Sequence, residues 1–223
     1  AQTKTLTYEG SSIEIGASAL SIIGGGTFAN TGSALELNNT SSQLKFSGIT
    51  VDYIRAASDS LGVVVDNTST VTNFTVGHVT PISISPNQSF NGLIEVYSDS
   101  NLKLNNTGTL AADVKISGLG GKIEVQETMT FSGSLLQVAL HEGFELKITS
   151  GKTMNYSGSE FDIGSHTFKL SGGGTLNNAN NLILNDSASL LAISKSTKIS
   201  HLLVSASNTN GGLIISSSVS PST

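Results

Sequence analysis

The sequence predicts an all-β chain, a single domain over 1–223 wound as a right-handed parallel β-helix of about ten rungs, roughly 21–22 residues each. Three observations carry that expectation. Apolar residues come in pairs spaced by two, which is strand periodicity. Successive pairs restart seven to nine residues apart, with Gly, Ser, Asn or Thr between them. And one long stretch is written twice: Gly10–Phe28, with Ile13, Ile15, Leu20, Ile22 and the triplet Gly24-Gly25-Gly26, returns as Gly158–Leu176, with Phe161, Ile163, Phe168, Leu170 and Gly172-Gly173-Gly174.

Along the chain, the pairs are Leu6/Tyr8, Ile13/Ile15, Leu20/Ile22, then Phe28, Leu35/Leu37 and Leu44/Phe46. Three short strands, each ending in a bend, make one rung. Lys152 follows Lys4 by 148 residues, which is seven rungs of about 21. Leu35-Glu36-Leu37-Asn38-Asn39 recurs 67 residues later as Leu102-Lys103-Leu104-Asn105-Asn106, read as three rungs of about 22. Gly92–Val96 recurs as Ser134–Val138, and Leu102-Lys103-Leu104 as Phe144-Glu145-Leu146, both at 42 residues, or two rungs of about 21. Residues 52–61 hold the sole arginine, Arg55, and little alternation, and are expected to bulge out of the coil. Residues 77–90 hold Pro81 and Pro86 and are expected to loop out as well, since proline cannot donate to a ladder. Asn181–Val204 resumes the rhythm, and Gly211–Ile215 reads as a last strand before a serine-rich tail. Strand-like ends point to partners among other copies of the chain, in a head-to-tail or lateral assembly.

Composition narrows the function. Charged residues are 12%, aromatics 5% and hydrophobics 37%, with a net charge of −5. That is too apolar for a disordered chain and too poor in lysine and arginine, 11 in all, for a nucleic-acid surface. No apolar run is long enough to span a bilayer as a helix. Cysteine is absent, which leaves no disulfide frame or thiolate metal site. The start at Ala1-Gln2 fits a mature end after signal cleavage, and the Ser/Thr/Asn/Gly-rich surface fits an exported, extracellular or cell-surface bacterial protein.

At Gly24-Gly25-Gly26-Thr27-Phe28 and at Gly172-Gly173-Gly174-Thr175-Leu176-Asn177-Asn178, the chain resembles bacterial autotransporter passengers and filamentous-haemagglutinin-type adhesins. The resemblance is one of texture along most of the chain. It implies a surface-exposed stalk, adhesin or filament component built on a right-handed parallel β-helix.

No residue cluster defines a catalytic, cofactor or metal site. The carboxylate pairs Glu160/Asp162, Glu124/Glu127 and Glu142/Glu145 invite a polysaccharide-cleaving reading, because such enzymes face two carboxyls across one sugar. Glu160 and Asp162 read more simply as outward residues bracketing inward Phe161. Arg55 has no carboxylate cluster beside it in sequence. His78, His141, His166 and His201 are not spaced as a local metal pair, and the aspartates are isolated. The glycine triplets are corners and not a phosphate loop.

Thr3-Lys4-Thr5-Leu6-Thr7, Thr68-Ser69-Thr70-Val71-Thr72 and Thr128-Met129-Thr130 put threonine on one strand face. A regular array of that kind binds ice, but the stretches do not recur at a fixed spacing. Sequons at Asn38, Asn67, Asn73, Asn87, Asn155 and Asn185 carry weight only in a eukaryotic source. The expectation is a non-enzymatic extracellular structural or adhesive solenoid, a cell-surface adhesin, stalk or self-assembling filament subunit. The partners expected are other copies of the chain and a host or cell-surface glycan or protein. The alternatives are a carbohydrate-binding or carbohydrate-cleaving solenoid, such as a phage tail fibre segment, and, behind it, an ice-binding protein. A groove with convergent carboxylates and aromatics would favour carbohydrate; Tyr8, Tyr53, Tyr97 and Tyr156 are scattered in sequence.

Overall fold

A computed structural model describes residues 4–105, 107–117, 120–139, 144–194, 197–204 and 212–216, with backbone alone at 137–139 and 213–216. Among the described residues there is no helix, and parallel strands stack as a β-solenoid of about nine turns, about 21 residues per turn. The first turn holds β1 (Thr5–Thr7), β2 (Ile13–Glu14) and β3 (Ala19–Ile23), and the second β4 (Thr27–Ala29), β5 (Leu35–Leu37) and β6 (Gln43–Ser47). The next three turns are built from pairs: β7 (Thr50–Ala56) with β8 (Gly62–Asn67), β9 (Ser69–Val76) with β10 (Val79–Ile84), and β11 (Ser89–Val96) with β12 (Asn101–Leu104). Threes then return. They are β13 (Thr109–Leu110), β14 (Asp113–Ser117) and β15 (Lys122–Val125); β16 (Met129–Phe131), β17 (Leu135–Ala139) and β18 (Phe144–Ile148); β19 (Thr153–Tyr156), β20 (Phe161–Asp162) and β21 (Thr167–Ser171). Last come β22 (Thr175–Asn178), β23 (Leu182–Leu184) and β24 (Leu190–Ser194), then β25 (Lys198–Ile199), β26 (Leu202–Val204) and β27 (Gly212–Ser216).

The first strand of each turn stacks on the first strand of the next, giving one face of ten strands from β1 to β25. The last strands give another ten-stranded face from β3 to β27. Between them runs a second face, β2, β5, the later halves of β7, β9 and β11, then β14 and β17, with β20, β23 and β26 as a separate small sheet. In the middle turns one long strand serves both the first and the second face.

Like stacks on like inside. Leu102, Ile123, Leu146, Leu170 and Ile193 form one column of the third face, all buried. Leu35, Ile54, Phe74, Ile94, Val114 and Leu135 form one of the second. On the first, Phe90, Leu110, Phe131 and Tyr156 continue the core, the last two rings meeting edge to face at 5.3 Å. Each buried side chain of this size stabilises by roughly 1.5–3 kcal/mol.

The 148-residue repeat is a repeat of structure. Gly16 and Gly164 both sit at φ 61°, and their carbonyls accept from the hydroxyls of Ser42 and Ser189 one turn on. Asn30 and Asn178 are buried at the same corner. Each carbonyl accepts from two successive N–H groups of the next turn, Asp52 and Tyr53 in one case, Ser200 and His201 in the other.

Four expectations are corrected. The 67-residue echo does not join stacked strands: Leu35 lies on the second face and Leu102 on the third. Sides of one coil bury alike and so are spelled alike. The 42-residue echo spans two turns but slips: Ile94 stacks through Val114 on Leu135 at 41 residues, and Leu102 through Ile123 on Leu146 at 44. Residues 52–61 do not bulge out, because Thr50–Ala56 is β7 and pairs on both sides. Asp52 and Tyr53 both face outward where the strand turns from first face to second, which hid the alternation. Nor do residues 77–90 leave the coil, since Val79–Ile84 is β10 and Ser89 opens β11. Pro81 stands inside β10; one lost ladder bond costs about 1 kcal/mol, less than the burial of neighbouring Ile82 returns.

Close stacking leaves no room for a side chain at Gly92, where φ is 112° and an added Cβ would lie 1.7 Å from the Val71 carbonyl oxygen. Gly92→Ala is expected to cost about 3 kcal/mol or more, while Gly25→Ala, with nothing within 4 Å, changes stability by less than about 1 kcal/mol. Urea unfolding of both variants measures the difference.

Candidate functional surfaces

The outward side chains of the first face are set by register. Thr5, Thr27, Thr50, Thr70 and Asn91 make one column. Two residues before it in the strand, Thr68, Ser89, Thr109, Thr130, Asn155 and Asn177 make a second, and Thr128, Thr153 and Thr175 a third. The columns are tied internally: Ser89 N–H donates to Thr68 Oγ1 at 3.2 Å, Asn177 Nδ2 to Asn155 Oδ1 at 2.9 Å, and Ser200 Oγ to Asn177 Oδ1 at 3.1 Å. From β9 to β22 the described outward side chains of the first-face segments, as far as Thr72 in β9 and Asn91 in β11, are Thr, Ser or Asn. Leu93 and Glu95 of β11 lie past the join, on the second face. The threonine stretches that stand apart in sequence therefore share one face, in mixed columns with serine and asparagine. Along this face turns vary from 20 residues (Thr50 to Thr70) to 25 (Thr130 to Asn155), and this uneven length, taken up in the bends, hides the shared surface from a linear reading.

From β9 to β22 charge lies on the other two faces, while at the last first-face strand Lys198 stacks outward on Thr175. On the third, Glu124 binds Lys147 at 2.8 Å and approaches Lys122 at 3.9 Å, and Lys122 reaches Glu145 at 3.8 Å. On the second, Glu36 pairs with Arg55 at 2.6 Å and Glu95 with Lys115 at 2.8 Å. Burial raises the pKa of Glu124, but hydrogen bonds from Lys147 and Asn101 and the nearby ammonium charges outweigh it, so the carboxyl sits below its ordinary 4.5. Glu95 is lowered in the same way: burial opposes, while Lys115, Ser117 and Tyr97 prevail.

Where the first and second faces share one strand, the outer surface is a shallow groove of about 380 Å³ lined by Thr31, Asp52, Tyr53, Thr72, Asn73, Thr75, Glu95 and Tyr97. Two of the four tyrosines scattered in sequence meet there, together with two carboxylates. Thr31 Oγ1 donates to Asp52 at 2.8 Å, and Ser117 Oγ to Glu95 at 3.0 Å. Burial and the Glu95 hydrogen bond raise the Tyr97 phenol above 10 and keep it protonated. Nothing in the sequence spacing of Tyr53 and Tyr97 signals this; turn-to-turn register does.

The other sequence candidates separate. Glu160 and Asp162 share an open depression with Leu136 and Phe161, and each accepts an asparagine amide, from Asn181 and Asn185, at 2.9 and 2.8 Å. Glu124 and Glu127 part, the latter binding Lys152 at 2.5 Å. Glu145 also accepts from Ser171, while its neighbour in sequence, Glu142, and His141 lie outside the described residues. His78 stands 3.9 Å from Asp59, and His201 Nδ1 contacts the Asn178 carbonyl at 2.5 Å. Arg55, expected in a loop, is a strand residue. Among the described residues no three His, Asp or Glu side chains converge on a metal-sized site. The apolar crevice among Leu135, Tyr156, Phe161 and Leu182 holds about 10 Å³, too little for more than one water.

Searches of family models, curated proteins and solved structures return no match to the chain.

The depressed carboxylates give a pH signature. Their stabilisation is complete above the ordinary value of 4.5 and is lost as pH falls through the lower folded value. Glu124→Gln is expected to be about 1 kcal/mol less stable at neutral pH, yet to lose less than the parent on acidification. Urea midpoints at neutral and acid pH measure both.

Proposed function

We propose that the chain is a non-enzymatic extracellular adhesive solenoid that holds an ordered surface against its neutral flank, with ice as the surface that flank fits best. The observation that carries this reading is the uncharged array of hydroxyl and amide groups on consecutive turns of the first face. Its rows repeat about every 4.8 Å along the axis and about every 6.6 Å along each strand. Threonine sets a methyl beside each hydroxyl and, being β-branched, has few χ1 rotamers open to it, so the array orders water in place. A charged flank would keep its own hydration shell; between Thr70 of β9 and Asn177 of β22 the described columns of this face carry no charge. From β9 to β22 no described aromatic faces outward on these strands, and aromatic faces are what a sugar-stacking surface requires.

The adhesive, cell-surface setting also agrees with the resemblance to autotransporter and haemagglutinin-type adhesins. Exposed Leu6 and Ile23 on the first described turn support association with further copies.

Partition into a growing ice shell and thermal hysteresis test the reading. The parent is expected to enrich in ice, and the double variant Thr109→Lys, Thr130→Lys to lose about tenfold or more of that affinity with an unchanged melting curve. Exclusion of the parent from ice contradicts the ice reading, and retention on crystalline cellulose in that case moves the target to a polysaccharide surface.

A further inference from the structure

We infer that the groove between Tyr53 and Tyr97 is a separate binding site for a neutral or N-acetylated hexose oligosaccharide. The inference is independent of the ice reading, since Asp52, Tyr53, Asn73, Glu95 and Tyr97 belong to none of the three columns of the neutral flank. Asp52 and Tyr53 come from β7, Asn73 from β9, and Glu95 from β11 with Tyr97 just beyond it, so the lining crosses consecutive turns where the first face runs unbroken into the second. With Thr31 from the second turn, it follows the axis for roughly 14 Å, a length for a short linear chain of sugars rather than a single ring.

The chemistry selects the ligand. Tyr97 is 41% exposed, and with Tyr53 it offers aromatic surface to the C–H face of a pyranose while its hydroxyl stays anchored on Glu95. Asp52 is held at one oxygen by Thr31 and keeps acceptor capacity for a sugar hydroxyl. Asn73 supplies both donor and acceptor. Glu95 is neutralised by Lys115, and Asp52 lines the same groove, so an acidic sugar or a phosphate meets a carboxylate with no free cation in the lining. The two carboxylates stand two turns apart along the axis, which suits hydrogen bonding along a chain and does not suit a shared metal.

The chain has no tryptophan and four tyrosines, so tyrosine emission reports stacking directly. Titration with cellohexaose, maltohexaose and chitohexaose is expected to change that emission for at least one of them, with trigalacturonate giving no change. Tyr97→Ala is expected to weaken the responding probe about tenfold or more, and Tyr97→Phe, which keeps the ring, to stay within about threefold. Asp52→Asn is expected to admit trigalacturonate. No response to any neutral probe by emission and calorimetry, a Tyr97→Ala variant that binds like the parent, or a parent that prefers trigalacturonate each overturns the assignment. Loss of the ice affinity alone leaves it standing.

Discussion

Between the first and last described turns, inward side chains are supported by counterparts one turn above and one turn below. Parallel ladders impose that constraint: strands lie about 4.8 Å apart, so a column must be filled by residues of similar size or the coil opens. Leu102, Ile123, Leu146, Leu170 and Ile193 meet it on one side, and the Phe144 and Phe168 rings, stacked at 5.6 Å, meet it beside them. Corners obey the same rule with polar groups. Asn30 and Asn178 each close one turn against the next through paired backbone hydrogen bonds, which a buried asparagine needs to offset its desolvation.

The outer surface inherits this register without choosing it. Once the core columns are fixed, outward residues stack too, and their chemistry is free to differ from face to face. Two faces use that freedom for paired charges such as Glu124 with Lys147 and Glu36 with Arg55. The first, from β9 to β22, uses it for threonine, serine and asparagine. Where β7, β9 and β11 run unbroken from first face to second, the corner that elsewhere separates them is lost, and a concave strip with Tyr53 and Tyr97 replaces it. A single packing rule thus yields a flat neutral flank and a groove beside it.

Much of the fold was legible in the chain because it writes its architecture twice. Gly16 and Gly164, Asn30 and Asn178, Tyr8 and Tyr156 occupy matching places, and their spacing gave the period. What stayed hidden was phase. Leu35 and Leu102 share a spelling but not a face, since a buried pair reads the same on any side of the coil. A one-residue slip separated the echo at Leu93/Leu135 from the true stacking of Ile94 over Val114 and Leu135, and such a slip exchanges inside for outside. The surfaces were less legible still: turns of 20 and of 25 residues scatter in sequence what they align in space.

Cysteine cross-linking in this cysteine-free chain tests the stacking most directly. Thr109 and Thr130 are register partners on adjacent strands, at about 4.8 Å and so within the 4.4–6.8 Å Cα range of a disulfide. The variant Thr109→Cys, Thr130→Cys is expected to close rapidly under mild oxidation as a monomer, while Thr109→Cys, Lys147→Cys, on different faces, stays reduced. Failure of the first pair to close, or equal closure of the second, contradicts the coil and with it both surfaces built upon it.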